Sequence, residues 1–128
     1  MSLDLSADEA ALQARAGEIA TGVIAPRAAA VDRSEQYPFD NVQTLKDAGF
    51  VGMTIPRQYG GQGRSFLDAV VVVEQMAKAC TVTGRIVVET NMGAISTVMA
   101  YGNQGQKKLA ADMVLAGDKP AICITEPD

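Results

Sequence analysis

Arg85 is a charged side chain at the head of an apolar segment, between Gly84 and Ile86–Val88. A guanidinium in that setting is either a surface group that reaches solvent along its stem, or a buried cation that requires an anion. A positive charge at the start of a helix also opposes the helix dipole, by about 0.3–1 kcal/mol. A planar anion held at two points would offset that cost. Glu89, four residues further on, is the alternative partner, in an ordinary i,i+4 ion pair.

The last eight residues, Ala121–Asp128, combine a short apolar run with a hydroxyl, a carboxylate and a proline. Residues Ala121–Ile124 predict a buried β-strand, and Thr125 begins a polar turn that Pro127 forces out of the ladder. A lone strand is not stable, because its backbone donors and acceptors need neighbouring strands. No other convincing strand precedes this one. We therefore expect the chain to be the front part of a larger protein and to stop as a β-containing region begins.

The residue types that are missing also restrict the chemistry. The sequence holds no histidine, which removes Ser-His and Cys-His nucleophile pairs and most zinc sites from these residues. We therefore predict no metal site in this chain. Cys80 and Cys123 both lie within apolar segments, and we interpret them as small buried side chains in a reducing cytosol. A disulfide between them is the alternative.

Composition and charge indicate one ordinary globular domain. The chain has 128 residues, of which 48% are hydrophobic and 20% are charged, so it can bury a core and is too apolar for disorder. The net charge of −4 and the scattered basic residues argue against nucleic acid or an anionic membrane surface as a partner. No apolar run approaches membrane-spanning length, and the N-terminus lacks a signal-peptide pattern, so we expect a cytoplasmic protein.

Capping residues and apolar periodicity predict an all-α bundle of five to six helices. Residues Ser6–Glu9 form a capping box for the first helix, which Pro26 should kink or break near Ile24. The next helix begins around Pro38 and ends at Gly49 in the left-handed conformation.

Three further helices follow a glycine-rich loop, Pro56–Gly63. The loop suggests close backbone approach or positive φ angles, and a phosphate cradle is its functional alternative, although no Gly-Lys-Ser/Thr follows. Ser65 caps an apolar helix, whose valine run leaves a buried strand as the alternative. Residues Thr81–Gly84 break the pattern, and a fourth helix is predicted from about Arg85 to Tyr101. The last predicted helix is amphipathic, with its cap at Asn103 and its end at Gly117.

The chain contains four short motifs in this order: Ile55–Gly61, Gly102–Lys107, Leu115–Asp118 and Ile124–Pro127. With these motifs in register, the sequence resembles the acyl-CoA dehydrogenase family, in its N-terminal helical domain (residues 1–118) and the first strand of a truncated middle β-domain (residues 119–128). Gly105 departs from the acidic or polar residue that this family usually has there.

This resemblance implies an FAD enzyme that binds an acyl-CoA thioester and forms a homotetramer. The family places the strand that ends in Thr-Glu-Pro against the flavin ring, which assigns cofactor binding to Ile122, Cys123, Ile124 and Thr125. Strand backbone groups and a hydroxyl suit the alternating donors and acceptors of the ring. The alternative is that Thr125 only ends a strand. The catalytic base of the dehydrogenases lies beyond this chain, so we predict no catalytic residue here.

Seven segments carry a narrower likeness: Glu35–Pro38, Asp40–Val42, Asp47–Phe50, Met76–Cys80, Gly84–Ile86, Leu109–Asp112 and Ala121–Ile124. In them the sequence resembles the 3-sulfinopropanoyl-CoA desulfinases of the same fold, which release sulfite from a sulfinated acyl-CoA. That likeness implies that Arg85 binds the anionic sulfinate of the substrate, much as glutaryl-CoA dehydrogenases place an arginine for a carboxylate. The alternatives are α,β-dehydrogenation of a short-chain or dicarboxylic acyl-CoA, and a helical interaction module without a flavin.

Overall fold

A computed structural model of the chain describes residues 4–127. These residues form a helical bundle, and the all-α prediction is confirmed. No helix in this range is long and apolar enough to cross a membrane. The α-helices within residues 4–127 are α1 (Ala7–Ile19), α2 (Ala25–Ser34), α3 (Phe39–Asp47), α4 (Phe66–Ala79), α5 (Thr81–Asn91), α6 (Ala94–Tyr101) and α7 (Gln104–Ala116).

Helices α1 and α2 are one rod interrupted by a π-helical turn at Ala20–Ile24. The predicted capping box is present, since the Ser6 hydroxyl accepts from the Glu9 amide and the Glu9 carboxylate accepts from the Ser6 amide. The kink or break predicted near Ile24 takes the form of this π-helical turn, which leads into α2 at Ala25 without a gap. Pro26 lies in the first turn of α2, where its missing N–H removes one helical hydrogen bond and a wider turn accommodates the ring.

The other predicted caps are confirmed as well. Ser65 and Asp68 form a capping box at the start of α4, so the valine run is helical and not a strand. Helix α3 begins at Phe39, directly after Pro38, and Gly49 follows its end with a φ of 71°. Helix α7 starts with an Asn103 capping box and ends at a left-handed Gly117.

The prediction of a single fourth helix from Arg85 to Tyr101 is wrong. The structure has two helices there, and α5 already begins at Thr81, so the segment predicted as a break is its first turn. Gly84 lies inside this turn because α4 and α5 cross closely: a Cβ on Gly84 would lie 2.7 Å from the Cβ of Ala77. A glycine that signals a helix break in sequence is here a contact point between two helices.

Asn91, at the end of α5, is a buried polar side chain that anchors the connector after α3. Its Nδ2 donates to the Phe50 carbonyl at 2.8 Å, and its Oδ1 accepts from the Met53 amide at 2.6 Å. The connector is therefore tied to the core by hydrogen bonds as well as by its apolar side chains. The largest fully buried side chains of the core are Phe50, Ile24, Leu45, Met53, Ile55, Met76, Ile86 and Ile95.

The predicted strand at Ala121–Ile124 is not formed, and the buried position predicted for it is wrong. This segment lies outside any helix, and Ile122 and Ile124 are 50% and 80% exposed. A strand needs hydrogen bonds to a neighbouring strand, and residues 4–127 contain none. Cys80 is buried as predicted, whereas Cys123 is exposed, and both thiols are free. The predicted boundary after residue 118 stays a prediction, and Asp128 lies outside the described residues.

The crossing of α4 and α5 yields the first prediction. Gly84→Ala should destabilise the protein by about 1–3 kcal/mol, because the added methyl group overpacks against Ala77. Gly17→Ala is the matched control: its Cβ would meet only the Gln75 side chain, at an ordinary 3.6 Å, and alanine favours a helix interior by about 0.5–1 kcal/mol. Urea-unfolding midpoints measure both, and equal midpoints for the two variants would contradict the close crossing.

The second prediction concerns the Asn91 anchor. Asn91→Leu keeps the number and branching of the side-chain heavy atoms but leaves the Met53 amide and the Phe50 carbonyl buried without a partner, at about 1–3 kcal/mol for each group. As a control, Gln43→Met removes an exposed hydrogen bond to Asp47 and should change stability by less than about 0.5 kcal/mol. Thermal unfolding of the two variants checks this; an unchanged midpoint in Asn91→Leu would mean that the connector does not depend on Asn91.

Candidate functional site

Arg85 is the fifth residue of α5, one full turn from the helix start at Thr81. The sequence-based expectation that it opens the helix is therefore wrong, and the dipole cost that followed from it does not apply, since that effect is confined to the first turn. The position of Arg85 is set instead by its neighbour. Gly84 lies in the tight contact with Ala77, so the backbone that carries Arg85 is pinned against α4.

Arg85 and Glu89 form the ion pair that the spacing allowed. Both Nε and Nη2 of Arg85 lie against the same oxygen, Oε1 of Glu89. The two side chains differ sharply in environment: the Arg85 side chain is 67% exposed, whereas that of Glu89 is 5% exposed. The pair thus joins a buried carboxylate to a guanidinium that faces outward.

The exposed part of the guanidinium keeps unused donors. Arginine carries five N–H groups in a planar fork, and the contacts to Glu89 involve the edge formed by Nε and Nη2. Within residues 4–127, Nη1 has no hydrogen-bond or ion-pair partner. The opposite edge, formed by Nη1 and Nη2, therefore has the geometry for two parallel bonds to a carboxylate or sulfinate.

The four residues predicted to bind a cofactor lie in the exposed tail after α7. Ile122, Cys123, Ile124 and Thr125 are all exposed, and residues 121–127 make no backbone or side-chain hydrogen bond to the rest of the described chain. None of the four takes part in the Arg85–Glu89 pair. Their role as a cofactor site stays a prediction.

The glycine-rich loop does not form the phosphate cradle that was its alternative interpretation. The amides of Tyr59, Gly60 and Gly61 donate to carbonyls at the start of the same loop, and the Gly63 amide donates to Ile55. A phosphate cradle needs several free amides directed at one point. Here those amides are used to close the loop, which the sequence motif itself does not reveal.

Sequence reasoning overlooked Tyr37. Its hydroxyl is buried and has no hydrogen-bond partner in the part of the chain that the structure describes. Burial raises the pKa of Tyr37, and the nearby charge of Asp118 raises it further, so the hydroxyl stays protonated at neutral pH. The ring packs edge-on against Phe39, with the ring centroids 5.0 Å apart. Nothing in the local sequence distinguishes this tyrosine from an exposed one.

Helices α6 and α7 present an apolar surface that sequence periodicity does not predict. Leu109, Met113 and Val114 follow the apolar face of amphipathic α7, but only Val114 is buried. Leu109 and Met113 line an open groove together with Tyr101, which is 88% exposed. Pro120 lies beside this groove, so the tail leaves the domain next to exposed apolar side chains.

The chain is similar to several characterised proteins. The "3-sulfinopropanoyl-CoA desulfinase" of Variovorax paradoxus is 60% identical over 98% of this chain, which spans 31% of that relative. The desulfinase of Advenella mimigardefordensis is 54% identical over the same share of each chain. The chain thus spans about a third of the length of these relatives.

A solved structure and a family model also match this chain. The structure of butyryl-CoA dehydrogenase from Megasphaera elsdenii matches with a TM-score of 0.79 and 20% identity, over 91% of this chain and 31% of that chain. A family model described as "Acyl-CoA dehydrogenase, N-terminal domain" matches residues 6–118, from the cap of α1 to the residue after the Gly117 cap. The chain therefore belongs to the acyl-CoA dehydrogenase family, whose N-terminal domain it contains.

Proposed function

We propose that the intact protein is an FAD enzyme that acts on a short acyl-CoA with an anionic end and releases sulfite from 3-sulfinopropanoyl-CoA. The observation that carries this proposal is the 60% identity to a protein named for that reaction, over 98% of the chain. The chain spans 31% of that relative, so the proposal concerns the whole protein and not these residues alone.

The surroundings of Arg85 support an anionic substrate. Its guanidinium is largely exposed and keeps one edge unused, and the two oxygens of a sulfinate or a carboxylate can each accept a hydrogen bond from this edge. Glu89 does not exclude this role, because it contacts only the other edge. In the proposal, Arg85 binds and orients the free end of the acyl group, while the residues that cleave the bond lie outside this chain.

The tail after α7 has the properties that a flavin-binding strand requires. Its backbone donors and acceptors are free within residues 4–127, and the Thr125 hydroxyl is exposed without a partner. When bound, FAD supplies a redox-active ring with donors and acceptors along its polar edge. We propose that Ile122, Cys123, Ile124 and Thr125 contact this ring through backbone groups and the Thr125 hydroxyl. We also propose, from the family resemblance, that the intact protein is a cytoplasmic homotetramer.

The third prediction tests the cofactor residues in the full-length protein. Thr125→Val removes the hydroxyl without changing side-chain shape, and the loss of one hydrogen bond to a buried polar edge should weaken FAD binding by about 1–3 kcal/mol. Thr21→Val, at an exposed position in the π-helical turn, is the control and should leave FAD binding unchanged. Titration of the apoprotein with FAD measures both constants. An unaltered constant in Thr125→Val removes this residue from the proposed site.

The fourth prediction tests Arg85 in the full-length protein. Arg85→Lys keeps a charge for Glu89 but cannot make the planar two-point contact, so sulfite release from 3-sulfinopropanoyl-CoA should slow. Arg85→Ala should cost more, about 2–5 kcal/mol in kcat/KM, provided that the bound anion is desolvated. Inhibition by butanoyl-CoA, a neutral competitor, should not change. Arg33→Ala, at an exposed position on α2, is the matched control and should behave like the unmodified protein.

Two results would contradict the proposal. Equal losses for the anionic substrate and the neutral competitor would mean that Arg85 only supports the fold. Absence of sulfite, together with dye reduction by short dicarboxylic or neutral acyl-CoAs, would identify the protein as a dehydrogenase.

A further inference from the structure

Glu89 is a buried carboxylate whose hydrogen-bond and ion-pair partner within residues 4–127 is Arg85. The residue is 4% exposed and lies on α5, which packs between α4 and α6. An ionised carboxylate removed from water needs a cation close by. The ion pair with this buried carboxylate therefore holds the Arg85 side chain in one place, although most of that side chain is exposed.

The contact also fixes the orientation of the guanidinium. Because Nε and Nη2 converge on the single oxygen Oε1, the plane of the fork is defined by two donors and not by one. Its remaining edge, Nη1 with the outer N–H of Nη2, has no partner within residues 4–127, and the side chain as a whole is 67% exposed. An unpaired arginine on a helix surface would sample many rotamers, and ordering it on binding would cost side-chain entropy.

We infer that Glu89 is a positioning residue for substrate binding: it holds the Nε–Nη2 edge of Arg85 so that the Nη1–Nη2 edge receives the anionic end of the acyl group. This inference rests on the proposed function, and it assigns a role to a residue that does not itself touch the substrate.

Gly93 provides the space that this arrangement needs. It lies between α5 and α6, and a Cβ there would be 2.8 Å from Oε2 of Glu89. Any larger residue would therefore push the carboxylate out of its place. The interruption between α5 and α6, which the sequence did not predict, brings the small residue to the side of the carboxylate that Arg85 does not occupy.

Glu89 has two opposite effects on anion binding by Arg85, one through its charge and one through the orientation of the guanidinium. Two substitutions separate these effects. The negative charge of Glu89 lowers the attraction between Arg85 and an anion, whereas its acceptor oxygen holds the fork in place. Glu89→Gln removes the charge and keeps an acceptor. Glu89→Met keeps the approximate length of the side chain and removes the acceptor, so only this variant should release the guanidinium.

The fifth prediction compares these two variants in the full-length holoenzyme. Glu89→Met should lower kcat/KM for 3-sulfinopropanoyl-CoA by about ten- to a hundredfold, the loss typical of a misplaced binding group. Glu89→Gln should lose much less activity than Glu89→Met, because its amide oxygen can still accept from the Arg85 fork. The inhibition constant of butanoyl-CoA should be the same in both, because a neutral acyl chain does not use Arg85. In an Arg85→Ala background, Glu89→Met should cause no further loss with the anionic substrate.

The other possible results distinguish failure of this inference from failure of the proposed function. A selective loss in Arg85→Ala without one in Glu89→Met overturns the positioning role and leaves the proposed function intact. No selective loss in Arg85→Ala overturns the substrate-binding role of Arg85 and this inference with it, whereas only absence of sulfite release overturns the proposed reaction. A loss in Glu89→Met that affects butanoyl-CoA equally shows a structural role only and overturns the inference. If Glu89→Met does not fold, Gly93→Ala decides, since it displaces the carboxylate without removing it and should show the same selective loss.

Discussion

The close crossing of α4 and α5 is the constraint on which the candidate site depends. Gly84 allows the two helices to approach until a single added carbon would meet Ala77, and Arg85 is the next residue along the chain. The same helix carries Glu89 one turn later and ends at Asn91, which holds the connector after α3. One helix, fixed at both ends, therefore sets the position of the guanidinium and the depth of the carboxylate together.

Local signals explain the part of the fold that the sequence predicts well. A cap involves residues three apart, so Ser6, Ser65 and Asn103 mark helix starts whatever packs around them. The π-helical turn at Ala20–Ile24 is equally local, because Pro26 cannot donate a helical hydrogen bond. By contrast, the break predicted at Thr81–Gly84 is the first turn of α5, although a glycine inside a helix is unfavourable by itself. The tertiary contact of Gly84 with Ala77 outweighs that preference, and no residue nearby in the sequence indicates this contact.

The candidate site likewise has a local part that the sequence predicts and a part that depends on tertiary packing. The i,i+4 spacing of Arg85 and Glu89 is visible in the sequence, and it left an ion pair and an anion site as rival interpretations. The structure shows that the two are compatible, since the pair uses one edge of the fork and leaves the other. Which partner is buried could not be predicted, because burial depends on how α5 packs against α4 and α6. The unformed strand at Ala121–Ile124 is a non-local case too: its pairing partners are not among residues 4–127.

The π-helical turn has a consequence for the geometry of the first rod. The buried residues of that rod, Leu12, Ala16, Ala20 and Ile24, recur every four positions. In a regular α-helix each such step runs about 40° ahead of a full turn, so a stripe of this kind winds steadily away from its starting face. A π turn advances less per residue and turns the stripe back. The π-helical turn at Ala20–Ile24 thus offsets the rotation of the buried stripe around the helix axis, and the buried side chains of the rod stay in line against α4. Removal of one residue from this turn would rotate everything that follows it by about 100°.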